Sequence, residues 1–319
     1  MPLDLLQELM EITDEEKLIM EQKKEVKKEL YTSQAKFIIE SEKFLSKEKM
    51  IMVRKHTRFV DFPKHRHDYI EINYVYNGFF HQKVGSEALT LKKGELLFLN
   101  QHIEHEIAAC DQQDIIINFI IHPDFFKFIF SYLTSENMVS EFLINSLYNH
   151  TQNGQYLFFA VSEVMEIQEL LEKMIIELLK PGMLSDSAVK LYMGLLMIEL
   201  IKHSDKASSR IDITGRQQLV VESLNYIDEH YQQASLFELA EMLNEPHYSV
   251  SKKIKQATNH TFKELLQDKR LNKARELLET TDLPIAAVVE LVGYENISYF
   301  YRIFKSKYGY TPKQLREHM

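Results

Sequence analysis

The sequence predicts an α+β chain with an N-terminal helical extension, an antiparallel β-barrel followed by a helical region, and a C-terminal all-α domain. Three observations carry that prediction. Apolar residues recur at helical spacing on both sides of a central stretch whose period is two. Glycine turns punctuate that central stretch, and one helix-break-helix pattern occurs twice near the C-terminus. At 319 residues the chain is long enough for two domains, each burying its own core.

Met1 to about Phe44 reads as helix throughout, which sets residues 1 to 48 apart as an extension. It has no glycine and only Pro2, with Leu5, Leu9, Ile12, Ile19, Val26 and Leu30 in broken heptad register. Polar Glu16 and Lys23 interrupt the seam. A dimerising coil and packing against the chain's own domain are therefore alternatives.

Residues 49 to 125 change to strand periodicity. Ile70, Ile72, Tyr74 and Tyr76 alternate, Asn77-Gly78 is a hairpin turn, and Phe80, Gln82 and Val84 continue the alternation. Lys93-Gly94 marks another turn, while Leu96 to Leu99 and Ile115 to Ile121 add short apolar strands. Such a series closes into a small antiparallel barrel.

Histidines are the informative residues of this barrel. His65-Arg66-His67, three residues, Glu71, six residues and Gly78 follow the spacing of the first cupin motif; Gly94 and His105 supply part of the second. The resemblance to a cupin sensor domain implies that His65, His67, Glu71 and His105 converge inside the barrel. Departures from the pattern are Phe59 for the opening glycine, and Asn100, His102 and Ala109 in the second motif. Three uses are open for the four residues: binding an organic effector, holding a divalent metal, or ordinary internal hydrogen bonding. Tyr69, Asn73 and Tyr76 are further candidates for effector contacts, and Asn118 offers another amide.

Residues 126 to 204 read as a helical dimerisation region with one added strand. That strand, Gln155 to Val161, follows the Asn153-Gly154 turn. Two helices come next, one with Val164, Ile167, Leu170, Leu171, Met174, Ile175 and Leu178 apolar, the other with Val189, Tyr192, Leu195, Leu196 and Leu200. Their stripes are broad enough for a core and for a partner. Polar residues 205 to 215 then read as a linker.

Residues 216 to 319 hold the repeated pattern. In the first copy, Leu236, Leu239, Ala240 and Leu243 lie on one helical face, Asn244 and Pro246 break it, and Val250 to Lys255 resume. Ile285, Val288, Val289 and Val292, Gly293, then Phe300 to Lys305 repeat it. At about 3.6 residues per turn, Val250 with Ile254 and Phe300 with Phe304 face inward. Tyr248, Ser251, Lys252, Lys255 and Gln256 then face outward on the first reader helix, and Ser298, Tyr301, Arg302 and Lys305 on the second. Arginine can pair bidentately with guanine in a major groove, whereas lysine acts as a point charge. The long helix between, Phe262 to about Leu278, fixes the separation of the two, which suits successive major grooves roughly 34 Å apart.

These residues, with Arg270, Leu271, Ala274, Gly293-Tyr294, Tyr299-Phe300, Arg302, Phe304-Lys305, Gly309 and Thr311-Pro312, resemble the AraC/XylS family of transcription regulators. What the resemblance implies is a seven-helix DNA-binding domain that regulates promoters, often as an activator touching RNA polymerase. Val289 stands where that family usually has alanine, and Lys252 where it usually has arginine.

Charge is divided along the chain. Residues 216 to 319 carry 14 basic and 14 acidic residues, so the net charge of −9 resides upstream. Within 252 to 275, eight basic residues face only Glu264 and Asp268, a footprint for phosphate or a solvated helix face. No apolar run reaches the roughly 20 residues of a membrane span, and the acidic start is no signal peptide. Cys110 is the lone cysteine, which fits a reducing cytoplasm. The expectation is a cytoplasmic, homodimeric, effector-responsive regulator of double-stranded DNA, an activator and not an enzyme, needing no cofactor unless a divalent metal sits in the barrel. Its rivals are a metal- or redox-responsive regulator and a cupin metalloenzyme fused to a DNA-binding domain.

Overall fold

The computed structural model describes residues 3–21, 25–46, 49–132, 137–148, 154–209 and 217–317. Two units divide near residue 213.

The first unit is built on two sheets. In chain order it holds α1 (Leu3–Met10), α2 (Asp14–Glu21), β1 (Ile38–Ile39), β2 (Ile51–Lys55), β3 (Phe62–His67), β4 (Ile70–Asn77), β5 (Phe79–Val84), β6 (Glu87–Lys92), β7 (Leu96–Leu99), β8 (His105–Ile107) and β9 (Ile115–Ile121). There follow α3 (Met138–Tyr148), β10 (Tyr156–Phe159), α4 (Met165–Leu179), α5 (Ser185–Lys202) and β11 (Ala207–Ser209). One sheet has the order β1-β3-β8-β5-β6, the other β11-β10-β7-β4-β9-β2.

Burial along each strand says where the layers lie. β5 alternates exposed and buried, so the outer face of its sheet meets solvent. β9 is buried at every position because its second face is covered. Helices supply that cover: Phe98 packs edge-on against Phe142 of α3, and the Tyr74 hydroxyl donates to Gln168 of α4 at 2.8 Å. Between the sheets, Phe62, Val75, Phe80, Val84, Leu97, Leu99, Ile116 and Ile120 form the barrel core. The β4–β5 hairpin turns at Gly78, with φ of 78°, where an added Cβ would lie 2.1 Å from Asp114 Oδ1.

The N-terminal segment differs from the continuous helix expected. A Thr13/Glu16 capping box restarts the helix, with Thr13 N donating to Glu16 Oε2 at 2.8 Å and Glu16 N to Thr13 Oγ1 at 3.2 Å. Glu16, an interruption in the heptad reading, is fully buried and meets Arg58 Nε at 2.7 Å. Leu5, Leu9 and Ile19 are buried in the chain's own unit, so the coiled-coil alternative fails. β1 then pairs in parallel with Arg66 and His67 of β3. Lys23 lies outside the described residues.

A second correction concerns the linker. Ala207 to Ser209, placed in it by composition, form β11 and pair antiparallel with β10. Residues 210 to 216 of that linker, and Asn153 of the Asn153-Gly154 turn, lie outside the described residues.

The second unit is helical: α6 (Gln217–His230), α7 (Leu236–Met242), α8 (His247–Thr258), α9 (Phe262–Thr280), α10 (Ile285–Leu291), α11 (Ile297–Tyr308) and α12 (Pro312–Glu317). These are the seven helices the resemblance implied. α9 serves both halves. Phe262, Leu265 and Leu266 are buried near its start, whereas Leu271, Ala274 and Leu278 join Val288, Val289, Val292, Phe300 and Phe304 in one cluster. Val289 is thus packed despite its larger side chain.

Candidate functional site

The two halves of the second unit use one local chemistry twice. Left-handed Asn244 (φ 50°) and Gly293 (φ 85°) end the first helices, and left-handed Asn259 (φ 55°) and Gly309 (φ 83°) end the second. Thr261 with Glu264, and Thr311 with Gln314, form capping boxes directly afterwards. At Gly293 an added Cβ would lie 2.3 Å from the Gln232 carbonyl oxygen, so the close approach requires glycine.

This framework buries Val250, Ile254, Phe300 and Phe304 completely and turns the opposite faces of α8 and α11 outward. Tyr248, Lys252, Lys255, Gln256, Ser298, Arg302 and Lys305 are exposed; Ser251 and Tyr301 are half-buried. Arg302 lies over the Tyr299 ring at 5.3 Å. Lys255 donates to the Asn259 carbonyl at 2.6 Å, so it also caps the end of its own helix.

Much of the basic run from 252 to 275 is committed inside the protein. Lys253 pairs with Glu245, Lys269 with Asp228, Lys273 with Glu276 and Arg275 with Glu279. Arg270 donates to the Tyr231 and Gln232 carbonyls at 2.6 and 2.9 Å and stacks on Tyr294. That arginine ties α9 to the loop between α6 and α7.

In the first unit the barrel brings its histidines together. His65 and His105 are directly paired residues of β3 and β8, with ring centroids 4.1 Å apart. His67 lies two residues on from His65 along the same face. Ligand-competent atoms of His65, His67 and His105 all lie within 4.8 Å of one another. Glu71 Oε2 approaches His67 Nε2 at 3.5 Å and His105 Nε2 at 3.8 Å. Both ring nitrogens of His67 and His105, and Glu71 Oε2, are buried without a hydrogen-bond partner. Only His65 is oriented, its Nδ1 2.8 Å from the Pro63 carbonyl.

Burial sets the protonation states. It pushes His65 down to about 4 and, with neighbouring histidines, drives His67 and His105 well below the usual range. The same burial raises Glu71 to about 7, opposed by Asn73 and Arg54. Three neutral imidazoles beside one carboxyl are a donor set suited to a divalent transition metal. Donor atoms on one tetrahedral ion lie about 3.4 Å apart for bonds of about 2.1 Å, so the three imidazoles must draw closer together to bind one.

Of the other predicted pocket residues, Tyr69 stacks on His67 with centroids 4.6 Å apart. Asn73 lies inside the barrel, donating to Asn118 at 3.0 Å and accepting from Gln82 at 3.2 Å. Tyr76 does not belong to the pocket. Glu71, Asn73 and Val75 share the interior face of β4, which puts Tyr74 and Tyr76 on the face covered by α4. Gln82 and His56 were missed by sequence reasoning. Each carries a buried atom without a partner, and His56 lines a cavity of about 30 Å³ with Tyr31, Phe44, His65, Tyr69 and Glu71.

Comparison with known proteins covers both units. The model of an AraC-like ligand binding domain matches residues 50–201, and that of a helix-turn-helix domain matches residues 239–318. The xylose operon regulatory protein of Haemophilus influenzae is 25% identical over 123 residues, which are 38% of this chain and 31% of that protein. The HTH-type transcriptional activator RhaS of Citrobacter koseri is 21% identical over 80% of this chain and 88% of its own length. Among solved structures, the C-terminal domain of AraT, a response regulator from Geobacillus stearothermophilus, is 35% identical over 33% of this chain and 89% of that one, with a TM-score of 0.31. Among the described residues no helix is long and apolar enough to cross a membrane. With an AraC-like ligand binding domain and a helix-turn-helix domain both matched along it, the chain belongs to the AraC family of DNA-binding transcription regulators.

Proposed function

We propose that the chain is a cytoplasmic, homodimeric activator whose control site is the barrel interior around His65, His67, Glu71 and His105. The observation that carries this is the set of buried nitrogen and carboxylate atoms left without partners, each of which costs about 1–3 kcal/mol unless something satisfies it. A small polyhydroxylated molecule suits the cluster, because the Asn73, Gln82 and Asn118 amides continue the polar lining. The name of the Haemophilus relative supports a sugar-like effector, and the regulator names of the relatives support sensing rather than catalysis.

The cavity of about 30 Å³ is far smaller than the roughly 300–1,000 Å³ of ordinary ligand pockets. Entry therefore requires side chains that line it, Tyr31 and Phe44 among them, to rearrange. An effector that binds one arrangement more tightly shifts the equilibrium by its differential affinity alone. Dimerisation uses the α4–α5 hairpin, where Leu184, Leu191 and Leu195 are strongly exposed. Bound at a promoter through α8 and α11, the dimer would then contact RNA polymerase.

A second reading has an observation of its own: tight convergence of three imidazoles beside a cavity of ion size favours a divalent metal as the occupant. One experiment separates the two. The thermal midpoint of the full chain is measured against pentoses and hexoses, and against zinc, nickel and manganese, before and after chelation. A sugar-dependent rise that survives chelation and vanishes in His65→Ala/His67→Ala supports the organic effector. A rise with metal alone transfers the site to the metal reading.

A further inference from the structure

We propose that Phe237 and His247, with Tyr248, form an aromatic ledge beside the first reader helix that packs on thymine methyl groups of the first half-site. This rests on α8 reading DNA. Phe237 is the second residue of α7 and is 69% exposed, as is Tyr248. His247, the first residue of α8, joins them: its ring lies 4.7 Å from Phe237 and 6.2 Å from Tyr248. The ledge thus spans the N-terminal ends of both helices of the first helix-turn-helix.

The internal repeat shows that the fold does not need these rings. Aligning Asn244 with Gly293, and Val250 with Phe300, places Ala286, Ile297 and Ser298 at the corresponding positions of the second half. That half builds the same turn, with a left-handed residue and a buried pair at the corresponding positions, without aromatic rings at those three sites. Two of the neighbouring carboxylates are engaged elsewhere: Glu238 accepts from the Tyr226 hydroxyl at 2.9 Å, and Glu245 accepts from Lys253 and Ser249.

Chemistry and position identify the occupant. In a helix-turn-helix the start of the second helix faces base edges while the first helix crosses the backbone, so the ledge is continuous with the reading face. The exposed charges of that face, Lys252 and Lys255, are point charges that discriminate poorly between bases. Unlike α11, with Arg302, α8 has no arginine. The thymine methyl is the one apolar group presented in the major groove, and an exposed aromatic ledge is its complement.

The test uses the full chain and a site selected from a random duplex library. Affinity is measured by fluorescence anisotropy with each thymine replaced in turn by deoxyuridine, which removes only the methyl. The wild type should lose about fourfold at one or two first-half positions, the factor for burying one methyl-sized group. Phe237→Ala and His247→Ala should lose as much on the thymine site and nothing further on the deoxyuridine site, with unchanged circular dichroism. Arg302→Ala should keep the methyl sensitivity. Variants that bind like the wild type, or that lose equally on both sites, overturn the ledge. Normal binding with reduced transcription also overturns it, because the rings then serve a protein partner. A wild type that selects no site sinks the reading of α8, and the ledge with it.

Discussion

Replacing Arg302 by alanine separates base reading from phosphate anchoring. Its guanidinium is exposed on α11, held over Tyr299 at 5.3 Å, so the substitution removes one surface contact worth about 0.5–1 kcal/mol to folding. The thermal midpoint should barely move. A bidentate arginine–guanine pair contributes about 1–3 kcal/mol of discrimination, so the preferred site should bind about 5- to 150-fold more weakly. Sites lacking that guanine should hardly change. Lys305→Ala, by contrast, should weaken every site alike and reduce the salt slope by about one. Anisotropy titrations over a randomised-site library at several salt concentrations measure both effects. Equal losses on every sequence for Arg302→Ala would refute its reading role and leave it a phosphate anchor. Arg270→Ala is the useful contrast, since loss of its two carbonyl bonds should lower the midpoint first.

Three further outcomes follow from the packing. Burial alone would raise Glu16, but hydrogen bonds from Arg58 and the Thr13 backbone, with the Lys55 and Arg58 charges, bring it to about 2 from 4.5. Its folded value lies below its unfolded one, so that stabilisation, about 3 kcal/mol, is complete above pH 4.5 and lost as pH falls toward 2. In Glu16→Gln, chemical denaturation should show lower stability at pH 7 and a flatter decline over that window; an unchanged slope contradicts the pairing. Gly293→Ala should cost more than about 1–2 kcal/mol, since the left-handed strain is compounded by collision with the Gln232 carbonyl, and calorimetry would detect it. Leu191→Lys with Leu195→Lys should leave the fold intact yet give a monomer in sedimentation equilibrium; a persistent dimer places the interface elsewhere.

Legibility in the sequence followed the strength of local signals. β4 and β5 were readable because alternation and the Asn77-Gly78 turn agree, and α8 and α11 because their buried pairs repeat at one phase. β11 was not. Ala207-Ser208-Ser209 is small and polar, and only pairing with β10 makes it a strand. The N-terminal error had a signal against it, since Thr13 and Glu16 have capping-box spacing. Tyr76 could also have been excluded from the pocket: with Glu71 inside, strand parity sends position 76 outside. Gln82 shares the inward parity of Phe80 and Val84, so its side was legible though its place in the cluster was not, whereas His56 belongs to no motif spacing and only the barrel's closure brings it inside. Reader residues were legible as a face, and the spacing of Lys273 to Glu276 and of Arg275 to Glu279 on one helix already allowed their pairing, but the pairs of Lys253 with Glu245 and Lys269 with Asp228 were visible only in three dimensions.

The most direct test of the account couples the two units in one readout. Transcription from a promoter carrying the selected site is measured with and without effector, for the wild type and for His65→Ala/His67→Ala, alongside DNA affinity without effector. The double variant should bind DNA like the wild type and lose all effector dependence. A variant that still responds in full would show that the histidine cluster is structural and that control lies elsewhere in the chain.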